Sequence, residues 1–100
     1  MSINHLEGVL ALRQLVIRHG LPRDDYAFFG VKCPYCGKMD RICRLDPPGR
    51  LKQAMGPEDT LSYAERWNTV SLPDHLLGVC KFCHNLLKLD ETMKAAPLAE

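Results

Sequence analysis

No stretch of this chain stays apolar for long. In the N-terminal segment the longest such run is Val9 to Leu12, which Arg13 ends. A membrane-spanning helix needs ~20 apolar residues, so no membrane association is expected. No basic segment leads into an apolar stretch closed by small residues, the pattern of a secretory leader. A cytoplasmic location is therefore expected, and disulfides are rare there. Low-complexity tracts and solenoid-length repeats are also missing. So are a glycine-rich phosphate loop and a His-Glu-x-x-His helix, and without any catalytic constellation the chain reads as a non-enzyme. Charge of one sign is scarce too: 13 Lys and Arg face 12 Asp and Glu, for a net +1. That balance argues against indiscriminate, charge-driven nucleic-acid binding.

What is present suits a globular protein. Hydrophobic residues make up 46% of the 100-residue chain, enough for one domain but only a modest core, which favours an added staple. The five cysteines supply one. Cys33 and Cys36 form one Cys-x-x-Cys pair, and Cys80 and Cys83 form another across residues 37–79. Such a turn presents two thiolates from one backbone loop, and two turns complete the tetrahedral sulfur shell of a structural zinc ion. Pro34 stiffens the first turn, and Gly37 permits the positive φ by which the chain leaves the metal. The second turn lacks that glycine, and Asn85 is the residue expected to take its part. Four thiolates around one divalent cation would shift the net charge from +1 to −1. Cys43, the odd cysteine, reads as a small buried apolar side chain. His84 follows a ligand directly and reads as lying beside the shell rather than in it.

The segment Val31-Lys-Cys-Pro-Tyr-Cys-Gly-Lys and the later Gly78-Val-Cys-Lys-Phe-Cys resemble the zinc-ribbon family. The resemblance covers residues 29–46 and 69–90. It implies two zinc knuckles at the tips of hairpins, a small antiparallel sheet below the metal, and a role in binding nucleic acid or a protein partner. A treble-clef arrangement, with a helix after the second knuckle over residues 85–93, is the alternative topology. Cys-Pro-Tyr-Cys also resembles the glutaredoxin active site, which implies a thiol oxidoreductase. In that family a strand precedes the motif and a helix follows it, whereas here a long helix comes first and Gly37 stands where a helical first turn is needed.

The expected fold is α+β: a small zinc-ribbon-like antiparallel sheet, an N-terminal helix and a short inserted helix, in one domain over residues 1–100. The N-terminal helix spans residues 4–19, with Asn4 and Glu7 spaced as a capping box. Leu6, Val9, Leu10, Val16 and Ile17 form its apolar face, interrupted by Arg13 and widened by Leu12 and Leu15. Gly20 and Pro22 end it. Tyr26, Phe28 and Phe29 suggest a strand into the first knuckle, although Asp24 or Asp25 suits the cap of one helical turn. Residues 39–45 fit a strand or a short helix. Residues 47–68 form an insertion whose helix starts at Pro57 and ends near Asn68, with Leu61, Ala64 and Trp67 on one face. Residues 69–72 read as extended, and the chain from about Lys94 as frayed.

Lys32, Lys38, Arg41, Arg44 and Arg50 outnumber Asp40 and Asp46 around the first knuckle. With Tyr35 at the tip, Lys32, Lys38, Arg41 and Arg44 are the candidate contacts for a partner or for nucleic acid. The bland alternative is that these cations offset the zinc tetrathiolate. The leading expectation is a regulator or adaptor that docks on a protein or nucleoprotein complex. Self-association through the apolar N-terminal helix and direct DNA or RNA binding are the alternatives.

Overall fold

The computed structural model describes residues 4–22, 26–51 and 55–98, Asn4 by its backbone alone. The expected caps at Asn4, Asp24 and Asp25 thus lie outside the described residues. The elements run α1 (Asn4–His19), β1 (Ile42–Arg44), a 3-10 turn (Pro48–Arg50), α2 (Pro57–Val70), β2 (Leu76–Cys80), β3 (Leu86–Leu89) and β4 (Ala95–Pro97). The four strands form one antiparallel sheet in chain order, β1-β2-β3-β4. The α+β expectation therefore holds.

The end of α1 follows from its sequence. Gly20 adopts φ +64°, Gly20 N–H donates to Ile17 O, and Leu21 N–H donates to Val16 O. These two bonds satisfy the last carbonyls of the helix. Leu21 is buried with Val16, so the apolar contact that accompanies this motif is present. At the other helix, Pro57 occupies the first turn, where a missing N–H costs nothing, and Glu58 and Asp59 complement the positive helix end.

The inward face of α1 is Val9, Leu12, Leu15 and Val16. Leu6, Leu10 and Ile17, expected on the same apolar face, point outward. One helix face cannot hold all seven, and packing chose the subset that meets α2 and the sheet. Where the helices cross, a Cβ on Gly8 would lie 3.0 Å from Thr69 Cγ2 and 3.2 Å from Val70 Cγ1. The close approach explains a glycine inside a helix, where it is otherwise unfavourable.

Helix α2 runs two residues beyond Asn68, so Thr69 and Val70, expected to be extended, are helical. Its buried face is the expected one only in part. Leu61 is exposed, whereas Tyr63 and Val70 are fully buried and Trp67 packs partly against them. Tyr63 wins the inward position because its hydroxyl has a partner: it donates to Asp46 O at 2.6 Å, and a buried phenol without one would be costly.

The sheet is covered on both faces. Helices α1 and α2 close one side over Leu77, Val79 and Leu86. On the other, Ile42, Cys80, Leu87 and Leu89 meet Val31, Cys33 and Phe28 from the first knuckle and its approach. That approach is not the expected strand. Only Ala27 bridges to Cys43, with Phe28 N–H donating to Ile42 O, while Tyr26 and Phe29 face solvent. The C-terminal segment is a further correction. β4 pairs with β3, Leu98 is buried, and His5 Nε2 lies 2.7 Å from Leu98 O. Among the described residues, no helix is long and apolar enough to cross a membrane.

Candidate metal centre

The two Cys-x-x-Cys turns have the same backbone. In the first, Gly37 N–H donates to Cys33 O at 3.0 Å and Cys33 N–H to Lys38 O at 2.9 Å. In the second, His84 N–H donates to Cys80 O at 2.8 Å and Cys80 N–H to Asn85 O at 3.1 Å. Both turns need a left-handed residue directly after the second cysteine: Gly37 has φ +79° and His84 has φ +60°. The left-handed position is thus His84, not Asn85 as expected. The pairing forced it, because the residue after Cys83 must turn the chain back toward Cys80. Histidine is among the residues that enter this region more readily than most. Asn85 instead donates from Nδ2 to Cys83 Sγ at 3.5 Å.

These turns bring the four cysteines together. Their sulfurs all lie within 4.8 Å of one another, with Cys33–Cys83 at 3.8 Å and Cys36–Cys80 at 3.7 Å. A tetrahedron with zinc–sulfur bonds of ~2.3 Å has edges of about 3.8 Å. Disulfides would need about 2.05 Å, and none is formed. Each turn also directs N–H groups at its first sulfur. Tyr35 and Cys36 amides lie 3.4 and 3.5 Å from Cys33 Sγ, and those of Phe82 and Cys83 reach Cys80. The residues fit one structural zinc ion.

The protein alone treats the four thiols unequally. Burial pushes Cys80 up to about 12 and raises Cys33, partly offset by their backbone N–H donors. Cys36 is held down at about 7, chiefly by the Lys38 backbone N–H. A divalent cation reverses the cost of burying sulfur anions and draws all four ligands into the thiolate form.

Knuckle two is tied into the fold by side chains. Arg13 of α1 donates from Nε to His84 O at 2.8 Å and from its guanidinium to Cys83 O at 3.3 Å. Lys81 Nζ donates to Pro22 O at 2.8 Å, and its own amide donates to Arg41 O. The sequence held a signal for the first tie, since a cation stood in the middle of an apolar helix face.

Of the candidate contact residues, Lys32 and Tyr35 line one groove beside the first knuckle, whereas Arg41 lines another with Ala27, Cys43 and Lys81. Lys38 Nζ sits 4.8 Å over the Phe82 ring centroid. Arg44 lies apart, since β1 pairs Ile42 with Cys80 and Arg44 with Gly78, two positions further from the metal. Arg50 is more distant still, on the 3-10 turn. Cys43 is buried in β1 and His84 is outside the four-sulfur cluster. His75 Nδ1 lies near Pro73 O. Around Cys33-Pro-Tyr-Cys36 the described residues contain no following helix, the element that a glutaredoxin-like site requires. Likewise the second knuckle continues into β3 rather than the helix of a treble clef. Comparison with known protein families, curated proteins and solved structures finds no match for this chain.

Proposed function

We propose that this chain is a non-enzymatic, zinc-stabilised binding protein of zinc-ribbon type, a regulator or adaptor that docks on a protein or nucleoprotein complex. The observation carrying the reading is the pairing of a closed metal shell with apolar surface turned outward. Four cysteines fill every position of a tetrahedral zinc, leaving none for a water or substrate. At the same time Leu6, Leu10 and Ile17 line the outer side of α1, at spacings that put them in one stripe with Arg13. Exposed apolar side chains grouped on one helix of so small a protein are suited to a partner.

A photo-crosslinking residue at Leu10, introduced in the cell of origin, tests this. A discrete adduct with a different protein is the expected outcome. An adduct of twice the chain mass would replace the adaptor reading with self-association through α1. No adduct at Leu10 would remove the docking reading while leaving the zinc site untouched.

A further inference from the structure

The zinc end of the molecule presents aromatic rings to solvent to a degree the rest does not. Phe29 is 93% and Tyr26 86% exposed, Phe82 is more than half exposed, and Tyr35 lies at the rim of the first knuckle. Exposing a phenylalanine forgoes roughly 1.5–3 kcal/mol of burial energy, so Phe29 and Tyr35, which flank the first knuckle's entry in sequence, mark a surface suited to contact. Cations are interleaved with the rings. Lys38 covers Phe82, and Lys32 bridges through its backbone to Met39 beside it.

Next to Phe29 an open groove of about 700 Å³ separates the first knuckle from the turn between β3 and β4. Lys32 and Tyr35 line one side, and Met93 and Lys94 the other. No Asp or Glu lines it; apart from the metal-site cysteines, its ionisable side chains are Lys32, Lys94 and the Tyr35 phenol. Cys33 and Cys36 form part of its wall, and amide N–H groups directed at the Cys33 and Cys80 sulfurs offset the negative charge of the metal site.

We infer that this groove and its aromatic rim bind single-stranded nucleic acid. Lys32, Lys38 and Lys94 meet successive phosphates, and unpaired bases stack on Phe29 and Tyr35. The inference rests on the binding-protein reading above and names the nucleic-acid component of its complex. A single strand is favoured over a duplex because only unpaired bases offer their faces to rings. It is favoured over a protein partner because Lys32 falls between Phe29 and Tyr35 in the chain and no acidic side chain lines the groove. Stacking on each ring is worth about 1–3 kcal/mol, and three phosphate contacts set a modest, measurable salt dependence.

The test is fluorescence anisotropy of the zinc-loaded full chain with labelled oligo(dT), oligo(U) and a mixed-sequence duplex. Single strands should bind better than the duplex, with log affinity falling against log salt at a slope of about 2. Phe29→Ala with Tyr35→Ala should lower affinity at least about 10-fold. Lys32→Gln with Lys94→Gln should flatten the slope to about 0.7. Zinc content and melting are measured on each variant; Phe29→Ala alone alters a side chain that is almost wholly in solvent and serves if the double variant unfolds. A folded, zinc-bearing protein that ignores both oligonucleotides at low salt would overturn the inference. So would binding indifferent to the two rings, or equal affinity for the duplex. The Leu10 crosslink is read at a different surface, so it can succeed or fail independently.

Discussion

The two faces of the sheet are closed by different physics. On the helical face, Val9, Leu12, Leu15 and Val16 of α1 and Tyr63 and Val70 of α2 pack on Leu77, Val79 and Leu86, an ordinary core of aliphatic and aromatic side chains. On the zinc face the buried set is smaller, and two of its six members, Cys33 and Cys80, are metal ligands. Its outer cover, the first knuckle, holds to the sheet through Phe28, Val31 and single bridges rather than a strand. A core of that size stabilises little on its own, so the metal stands in for the missing apolar area. The lesson is that one sheet can be half protein-stabilised and half metal-stabilised, and each half should fail separately.

The largest expected effect is loss of zinc. Structural zinc sites contribute roughly 10–16 kcal/mol, as much as the whole stability of a typical domain, about 5–15 kcal/mol. Chelation, or Cys33→Ser or Cys83→Ser, should abolish amide-exchange protection across residues 28–42 and leave the zinc face of the sheet molten while α1 and α2 stay protected. A cysteine variant that melts cooperatively at the parent temperature would break the comparison. Tyr63→Ala, on the helical face, should cost about 3–5 kcal/mol, and Tyr63→Phe about 1–3 kcal/mol for the Asp46 carbonyl left unpaired. Both should leave zinc stoichiometry at one, checked by elemental analysis of folded protein. Loss of zinc from Tyr63→Phe would show that the two faces are not separable.

The same division explains what could be read in advance. The zinc site was legible because two short, rigid turns with matched spacing carry the ligands, and nothing distant has to be known to recognise them. Helix α1 and its stop were legible for a similar reason: Gly20 and Pro22 act locally. The faces of the helices were not. Whether Leu10 or Leu12 points inward depends on where α2 crosses, and that crossing is set by Gly8 against Thr69 and Val70, a contact between residues distant in sequence. Tyr63 reads as core from its sequence, but the Asp46 carbonyl that lets its hydroxyl be buried is a partner that only the fold supplies. β4 leaves no local trace, because Ala95 to Pro97 has little strand character of its own and is held by its register on β3. Composition could not tell which cations share a surface; the register that removes Arg44 from the knuckle is a property of the sheet.

Within the metal half, the two knuckles offer a finer contrast at matched positions. Gly37 and His84 share the left-handed backbone, one without cost and the other at about 1–2 kcal/mol for a residue with a Cβ. Gly37→Ala should destabilise by that amount, whereas His84→Gly should stabilise by up to about 1 kcal/mol after the added freedom of the unfolded chain is subtracted. Chelator-free thermal melts of the two variants should move in opposite directions. Movement in the same direction would mean that the His84 side chain has a role beyond tolerating the turn.

The smallest effect is expected on the helical face, at its edge. Asp59 of α2 accepts from His19 Nε2 at 2.8 Å and faces Arg18 at 3.4 Å, and these partners hold its carboxyl below the ordinary value, the His19 hydrogen bond foremost. A folded-state value lower than the unfolded one means the contribution is present above the unfolded value near 3.8. It fades as pH falls through the depressed one. Arg18 is exposed and Asp59 partly so, and salt screens their attraction. Asp59→Asn should therefore lower the melting temperature slightly at neutral pH and low salt, with the difference from wild type shrinking toward acid or high salt. Acid also protonates the cysteine ligands, so the comparison is read only at pH values where both proteins retain zinc. A difference that grew as pH fell would place the stabilisation in the neutral carboxyl and reverse the assignment.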